Sequence, residues 1–277
     1  MPVALIVSSH VAGSGVGGGL QAAELSRLGF RTALLPTVLF GRHPGLGAPG
    51  GGPVPDALFA GQAEGFLASG LADRVDLVLT GYFASAGQVE AAAGLLDAVA
   101  ARNPGALVLV DPILGDEGRG LYVPETVADA LPRTLVLRAG LLAPNAWELE
   151  RLSGTPVTDP ASALAAARSL GRPVLVSSVP DGADVGVLWT DGTEAWLASH
   201  PRLPRAPRGT GDLLAALFGA GLALGGDPSE VLESSVRNLA ARLAQGAEDL
   251  LDAPGVDADP HGSPPRGGEV AVTLRRP

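Results

Sequence analysis

A short segment near residue 210 has the residue types of an anion-binding turn with a proton acceptor beside it. Gly209 and Gly211 surround the small hydroxyl residue Thr210, and Asp212 follows at the start of an alanine- and leucine-rich, helix-like stretch. Backbone N–H groups in such a turn converge on an anion at the positive end of the helix dipole. The Asp212 carboxylate can take the proton of an attacking alcohol there. An ordinary helix cap explains the same residues equally well.

Acidic residues follow a strand-like run that ends at Val110. Asp111 and Asp116 belong to the segment Asp-Pro-Ile-Leu-Gly-Asp. Carboxylates at the end of a parallel strand suit a hydrated Mg²⁺ that bridges nucleotide phosphates. A solvated acidic turn is the alternative interpretation of these residues.

A third polar pair stands at the start of a predicted helix. Asn145 and Glu148 are three residues apart, so their side chains share one face of the first turn. Asn145 can contact a phosphate there while Glu148 holds metal-bound water. The same spacing is typical of a capping box, and both roles can coexist.

The elements that must position these groups follow a βαβ rhythm, in which short β-branched or leucine-rich runs alternate with alanine-rich helical patterns. This rhythm predicts a doubly wound, mainly parallel sheet with helices on both faces and ligands at the carboxyl ends of its strands. The predicted strands are residues 3–9, 32–36, 75–80, 106–111, 140–143 and 173–177. The predicted helices are residues 20–28, 57–70, 86–102, 145–153 and 160–170.

The pattern changes after residue 180, where two strand-like runs flank a Thr-Asp-Gly-Thr turn and predict an antiparallel hairpin. A Pro/Gly-rich linker is expected later, before one last edge strand, and all of residues 1–277 are expected to form one domain. The predicted elements are the hairpin strands 185–189 and 195–199, helices 212–224 and 228–250, the linker 253–268 and strand 269–274.

Composition excludes several kinds of chemistry. The chain has no cysteine, which removes disulfides, thiolate metal sites and cysteine nucleophiles. All 19 basic residues are arginine, so a lysine Schiff base and the Walker A phosphate loop are also absent. The net charge of −10 argues against nucleic acid and anionic membranes as partners. Apolar runs are shorter than the roughly 20 residues of a membrane span, so a soluble cytoplasmic protein is expected.

Three motifs resemble those of the ribokinase-like superfamily in their order and spacing. They are Asp-Pro-x-x-Gly-Asp at 111–116, Pro-Asn-x-x-Glu at 144–148 and Gly-Thr-Gly-Asp at 209–212. Within that superfamily the chain resembles the pyridoxal kinases, also through Ser-Ser-His-Val at 8–11, Arg-His-Pro-Gly at 42–45 and Thr-Gly-Tyr at 80–82. The resemblance covers nearly the whole chain. It implies a ribokinase-like fold and ATP-dependent phosphorylation of the 5′-hydroxymethyl group of pyridoxal, a step of vitamin B6 salvage.

The resemblance also implies roles for residues on the catalytic and nucleotide side. Asp212 would activate the substrate hydroxyl and also contact the substrate. The anion hole for the γ-phosphate would be built by Gly209, Thr210 and Gly211. The metal-binding residues would be Asp111, Asp116 and Glu148. The residues that contact ATP would be Asp111, Asn145, Glu148, Ser177, Leu203 and Thr210.

On the substrate side, the resemblance implies that Ser9 hydrogen-bonds the pyridine ring region and that Tyr82 stacks beside it. His43 and Pro44 would belong to a loop that closes on the substrate. The implied cofactors are ATP and Mg²⁺, with room for a monovalent cation such as K⁺. The implied partners are pyridoxal, ATP and a second copy of the chain in a homodimer.

Other interpretations compete with this one. Gly13-x-Gly15-x-x-Gly18 is a dinucleotide-binding pattern, but the second strand ends without the acidic residue that would bind a ribose. Hydroxymethylpyrimidine kinases of the same superfamily usually have cysteine where Asp212 stands, which favours pyridoxal. A vitamin-binding protein without catalysis on the same scaffold is a further alternative. The four histidines are too dispersed to predict a metal site, and most are expected on the surface or in loops.

Overall fold

The computed structural model describes residues 1–203, 207–244, 250 and 271–277. Its strands are β1 (Val3–Val11), β2 (Arg31–Phe40), β3 (Gly51–Pro53), β4 (Val75–Thr80), β5 (Leu107–Val110), β6 (Gly115–Asp116), β7 (Gly120–Leu121), β8 (Leu141–Leu142), β9 (Val174–Asp181), β10 (Asp184–Thr190), β11 (Ala195–Pro201) and β12 (Thr273–Arg275). Its α-helices are α1 (Gly17–Arg27), α2 (Asp56–Ala68), α3 (Ala86–Arg102), α4 (Glu125–Thr134), α5 (Ala146–Ser153), α6 (Pro160–Ser169), α7 (Thr210–Ala223) and α8 (Pro228–Ala244).

A ten-stranded sheet organises the described part of the chain, in the order β12-β11-β10-β9-β8-β5-β4-β1-β2-β3. The neighbouring strands β9, β8, β5, β4, β1 and β2 are parallel to one another. Strand β3 is antiparallel to β2, and at the other edge β10, β11 and β12 are each antiparallel to the strand before them in the chain. Strands β6 and β7 form a separate two-stranded ribbon. The predicted doubly wound, mainly parallel sheet is therefore confirmed.

Two apolar cores lie on opposite faces of this sheet, because side chains alternate along each strand. In β1, Leu5 and Val7 join the core under helices α2 to α6, which contains Phe59. Ile6 points to the other face and joins the core under α1, α7 and α8, which contains Phe218. Central strands buried on both faces hold the carboxyl ends of the sheet in one rigid edge.

Several predicted boundaries are met. Strand β4 and helix α3 span the predicted residues 75–80 and 86–102, and the hairpin β10–β11 is present. Helix α4 and the short strands β3, β6 and β7 were not predicted. Two prolines obscure α4, because Pro124 precedes its first turn and Pro132 lies inside it.

The C-terminal predictions are met in part, since residue 250, the predicted helix end, lies in a turn and residues 271–272 of the predicted strand are not in a strand. Helix α8 is described to Ala244 and strand β12 begins at Thr273. The predicted linker 253–268 lies outside the described residues, as do the first two residues of the predicted strand 269–274. The organisation of the chain as one domain stays a prediction. Within the described ranges, no helix is both long and apolar enough to cross a membrane.

Candidate active site

The polar residues singled out in the sequence lie at one edge of the sheet. Ser9 lies near the end of β1, Tyr82 follows β4, Asp111 follows β5 and Asn145 follows β8. Ser177 forms an isolated parallel bridge with Asn145, which joins the next strand to this edge. Ligands of doubly wound sheets bind outside the carboxyl ends of the strands, so this edge is the candidate active site.

Asp212 lies in the first turn of α7, and its two carboxylate oxygens have different surroundings. The backbone N–H of Gly17, at the start of α1, donates to Asp212 Oδ2 at 2.8 Å. Asp212 Oδ1 is buried and has no hydrogen-bond partner among the described residues. A buried acceptor without a donor is costly, so Oδ1 is suited to receive a donor from a ligand.

The Gly17 contact contradicts the interpretation of Asp212 as an ordinary cap. The N-cap of α7 is Gly209, and no side chain makes a capping hydrogen bond there. Asp212 instead reaches across to a residue 195 positions away. The same contact argues against the dinucleotide pattern, since the N–H that would face a pyrophosphate at the start of α1 is occupied by a carboxylate.

Two glycines allow this arrangement for steric reasons. Gly209 has φ +87°, and a Cβ there would lie 2.5 Å from the carbonyl oxygen of Gly15. Gly17 has φ +60°, and a Cβ there would collide with the side chain of Ser9. The glycine-rich segment that begins at Gly13 therefore packs directly beside the catalytic turn. Larger residues at either position would separate Asp212 from α1.

Burial raises the pKa of Asp212 to about 6, although the hydrogen bond from Gly17 opposes the shift. A general base acts in its ionised form, so activity should be fully present above this pKa and lost as the pH falls through it. We expect kcat/KM to fall about tenfold per pH unit below about pH 6.

This pH dependence is measured with pyridoxal and, separately, with pyridoxine, because the two alcohols have different ionisable groups of their own. If kcat/KM falls near pH 6 with both substrates, the group that titrates belongs to the protein and not to a substrate. A rate that stays level down to pH 5 with both substrates would contradict the assignment of the base to Asp212.

The acidic residues gather around Asp111, which is buried at the end of β5. Burial raises the pKa of Asp111 well above its usual range, and the carboxylates of Glu148 and Asp212 raise it further. Burial also raises the pKa of Glu148 to about 7, with a smaller contribution from Asp116. The predicted acids therefore lie close enough to repel one another.

Glu148 and Asn145 form the capping box that their spacing indicated. Glu148 Oε2 accepts from the Asn145 N–H at 2.9 Å, and Asn145 Oδ1 accepts from the Glu148 N–H at 2.8 Å. Glu148 Oε1 also accepts from Leu114 and Gly115 N–H groups at 2.8 and 3.3 Å. The Asn145 amide donates to the Gly115 carbonyl at 2.9 Å. This pair therefore anchors the loop that carries Asp116.

The oxygen ligands around Asp111 fit Mg²⁺. The Asp111 carboxylate has no hydrogen-bond partner among the described residues, and the carboxylates nearby make its ionised form costly until a cation joins them. No group of three or more His, Asp or Glu side chains in the described ranges is arranged to hold a metal ion alone. Mg²⁺ commonly keeps several waters and uses one or two carboxylates with substrate phosphates, which suits this site.

The substrate side is organised by a buried network that the sequence did not indicate. Thr37 Oγ1 donates to the Tyr82 carbonyl at 2.6 Å. Gln88 Nε2 donates to the carbonyls of Thr37 and Val54 at 2.8 and 2.7 Å. Tyr82 is half-buried next to the end of β1, where its N–H donates to Ser8 Oγ at 3.4 Å. Ser85-x-x-Gln88 has the spacing of a capping box, which could have drawn attention to Gln88, but its bonds to Thr37 and Val54 join distant segments and have no local signature.

His43 and Pro44 lie in a loop that contacts the catalytic turn. His43 Nδ1 accepts from the Gly45 N–H at 3.0 Å, and Arg208 donates to the Gly45 carbonyl at 3.5 Å. Burial lowers the pKa of His43, as do the neighbouring guanidinium groups of Arg208 and Arg119. The roles of His43 and Pro44 in closing on a substrate stay predictions.

A second cleft opens on the side of Thr210 and Gly211 that faces the hairpin β10–β11. Its walls include Ser177 and Leu203, two of the predicted nucleotide contacts. They also include Ser178, which was not predicted and whose φ is +60° at an irregularity in the pairing of β9 with β10. Strained backbone of this kind often marks a functional site.

His200 corrects one prediction from the sequence. Most histidines were expected on the surface or in loops, but His200 lies in β11, is 6% exposed and lines this cleft. His10 lies half-buried in β1. His43 is the loop residue that was expected, and His261 lies outside the described residues.

Comparisons with known proteins agree with this geometry. A family model described as phosphomethylpyrimidine kinase matches residues 51–249. The chain is 35% identical over 259 residues to the pyridoxine/pyridoxal/pyridoxamine kinase of Bordetella avium, across 88% of this chain and 87% of that protein. It is 34% identical over 253 residues to a pyridoxal kinase of Deinococcus radiodurans, across 86% of this chain and 85% of that one. The chain belongs to the pyridoxal kinase family.

A solved pyridoxal kinase structure, from Leishmania donovani in complex with ADP and ginkgotoxin, has the same fold. It superposes with a TM-score of 0.85 at 25% identity and covers 99% of this chain and 100% of its own. The family model covers only part of the candidate site. The matched range 51–249 contains Asp111, Glu148 and Asp212, whereas Ser9 and His43 precede it. Of the residues predicted to contact the substrate, Ser9, His43 and Pro44 therefore lie outside the matched range and Tyr82 and Asp212 lie inside it.

Proposed function

We propose that this chain transfers the γ-phosphoryl group of ATP to the 5′-hydroxymethyl oxygen of pyridoxal, giving pyridoxal 5′-phosphate and ADP. The observation that carries the proposal is the unpartnered, buried Oδ1 of Asp212 beside the N-terminus of α7. A substrate hydroxyl supplies the donor that this oxygen lacks, and the helix start supplies positive potential for the phosphoryl group.

In this reaction Asp212 accepts the proton of the hydroxymethyl group as its oxygen bonds to the γ-phosphorus. The bond between the γ-phosphorus and the bridging oxygen breaks, and ADP leaves. Backbone N–H groups of Gly209, Thr210 and Gly211 face the charge on the transferring group. Catalysis is then mainly positioning and charge stabilisation, as in other phosphoryl transfers.

Ser9 and Tyr82 would hold the pyridine ring at the end of β1 and β4. Ser9 lies beside Gly17, which in turn holds Asp212, so ring binding and base positioning share one short segment. The hydrogen bond from Thr37 to the Tyr82 carbonyl fixes the strand end from which Tyr82 projects. This connection supports a role for Tyr82 in orienting the ring.

The nucleotide would occupy the cleft walled by Ser177 and Leu203, with its phosphates toward Thr210. Mg²⁺ would be held by Asp111 and Asp116 through oxygen and water ligands, while Glu148 supports the loop between them. When bound, Mg²⁺ neutralises charge on the nucleotide phosphates. A monovalent cation, a homodimer and a cytoplasmic location are proposed on the family resemblance alone.

A substrate panel tests the function. Pyridoxal, pyridoxine, pyridoxamine and hydroxymethylpyrimidine are compared by ADP release and by chromatography of the phosphorylated product. We expect pyridoxal to have the highest kcat/KM, and we expect EDTA to abolish turnover until Mg²⁺ is restored. The Gly13 segment and the loop from Gly41 are unusually glycine-rich near the proposed ring site. The order of kcat/KM among pyridoxal, pyridoxine and pyridoxamine is therefore the more detailed result of this panel.

The pyrimidine is the rival substrate, because the matched family model is described as phosphomethylpyrimidine kinase. Turnover of the pyrimidine alone would overturn the assignment to pyridoxal. Binding of pyridoxal in a thermal-shift assay without any phosphorylation would overturn the catalytic proposal.

A further inference from the structure

The nucleotide cleft has a polar end and an apolar end. Thr210 and Gly211 lie at the N-terminus of α7 and form the end suited to phosphates. The opposite walls are built by aliphatic side chains from the hairpin, the α7 face and α8, namely Val185, Val187, Leu203, Leu214, Leu239 and Leu243. Walls of this kind fit a flat, weakly hydrated nucleobase.

His200 belongs to the apolar end. Along β11 it shares a face with Ala198, since alternate residues of a strand point the same way. Its partner across the hairpin is Val185, and the partner of Ala198 is Val187. Ala198 and Val187 belong to the same core as Leu239 of α8. His200 is therefore a polar side chain beside the aliphatic residues that β10, β11 and α8 pack together on this face.

The hydrogen bonding of His200 determines which ring nitrogen is available to a ligand. His200 Nδ1 lies 3.0 Å from the Pro201 carbonyl oxygen. A carbonyl oxygen accepts only, so Nδ1 carries the proton and donates. In the neutral ring Nε2 is then an acceptor, and it has no partner among the described residues.

We propose that His200 Nε2 accepts a hydrogen bond from the exocyclic amine of adenine, so that the cleft selects ATP over purine nucleotides that carry a keto oxygen at that ring position. An amine donates to the lone pair of Nε2. A keto oxygen would place a second lone pair against it and leave two buried acceptors unpaired. This inference rests on the proposed function, because it requires that the cleft hold the nucleotide.

Binding of ADP and IDP by calorimetry tests the inference without any phosphoryl transfer. The two nucleotides differ only along one edge of the base, where ADP has an amine beside an unprotonated ring nitrogen and IDP has a keto oxygen beside a protonated one. We expect the unaltered chain to bind ADP at least about tenfold more tightly than IDP, the scale of one unpaired buried polar group. Equal affinities would overturn the inference and leave the kinase assignment intact. Absence of ADP binding, together with absence of turnover with ATP, would overturn both.

Two variants separate base recognition from a general effect on the cleft. His200→Phe removes the acceptor, so ADP affinity should fall about tenfold while IDP affinity changes little. Arg202→Gln is the matched control, since Arg202 lines the same cleft just after the end of β11. It should alter the affinities for ADP and IDP by the same factor.

A turnover measurement adds a quantity that would not change in this way if His200 had a purely structural role. For His200→Phe at saturating ATP, kcat with pyridoxal should stay within about threefold of the unaltered chain, while KM for ATP rises about tenfold. A folded His200→Phe variant that keeps the original preference for ADP over IDP would overturn the inference. Thermal unfolding with and without ADP establishes that the variant is folded.

Discussion

Asp212→Ala should lower kcat for pyridoxal phosphorylation by about two to four orders of magnitude, the usual scale for loss of a general base. The variant removes the buried oxygen that would accept the substrate proton, Oδ1, and the oxygen held by Gly17, Oδ2. Affinity for ADP should change much less, because Thr210 and Gly211 keep their backbone N–H groups. Single-turnover kinetics with excess protein measure the chemical step directly.

Asp159→Ala is a matched control for this variant. Asp159 also lies at a helix start, where its carboxylate accepts from the Ser162 N–H at 2.8 Å and completes a capping box. Losing that cap should lower the unfolding midpoint slightly and leave kcat unchanged. Near-normal turnover in a folded Asp212→Ala variant would show that Asp212 is not the base. An equal loss of activity in both variants would indicate destabilisation instead.

Arg242→Met should destabilise the protein by about 3–5 kcal/mol, because it removes the buried partner of the Glu24 carboxylate and leaves only the 3.5 Å contact from the partly exposed Arg27. The Arg242 guanidinium donates to both oxygens of Glu24 at 2.6 and 3.1 Å, and the side chains are 0% and 1% exposed. This ion pair connects α8 with α1, the helix whose first N–H holds Asp212. Urea unfolding followed by circular dichroism measures the loss.

Helix α8 offers its own control. Arg237 pairs with Glu233 one turn earlier at 2.5 Å, but the two side chains are 41% and 33% exposed. Arg237→Met should therefore cost no more than about 0.5 kcal/mol. A double change, Glu24→Leu with Arg242→Leu, should recover much of the stability lost in Arg242→Met. Similar unfolding midpoints for Arg242→Met and Arg237→Met would contradict this account.

The elements that were predicted well are those whose signals are local. Strand β4 has a short run of leucine and valine after Asp76, and α3 begins where Ser85 accepts from the Gln88 N–H at 3.1 Å. The capping box of Asn145 and Glu148 is likewise readable over four residues. Helix α4 was missed because Pro132, inside its last turns, opposes helix formation locally, while burial of Val127 and Leu131 stabilises it.

The kind of chemistry expected at the site followed from the residue types in the sequence. A chain without lysine has no Walker A loop, so the glycine turn at residues 209–212, followed by a carboxylate, was the predicted place for a phosphoryl group. The placement of acids after β5 and before α5 also followed from the order of elements. The order of elements along the chain determines which strand a residue follows, because connections between neighbouring strands are short and regular.

Tertiary structure decided what those residues can do. The 2.8 Å bond from Gly17 to Asp212 joins positions 195 apart, and no local pattern distinguishes it from an ordinary helix cap. Burial set the pKa of Asp212 near 6, and packing against α8 turned His200 from an expected surface residue into a cleft wall. The sequence by itself indicated the alternating strands and helices, the glycine turn at 209–212 and the acidic segments, because patterns of this kind extend over only a few neighbouring residues. Which oxygen of Asp212 is free and which nitrogen of His200 accepts depend on contacts between distant segments, and these exist only in the folded chain.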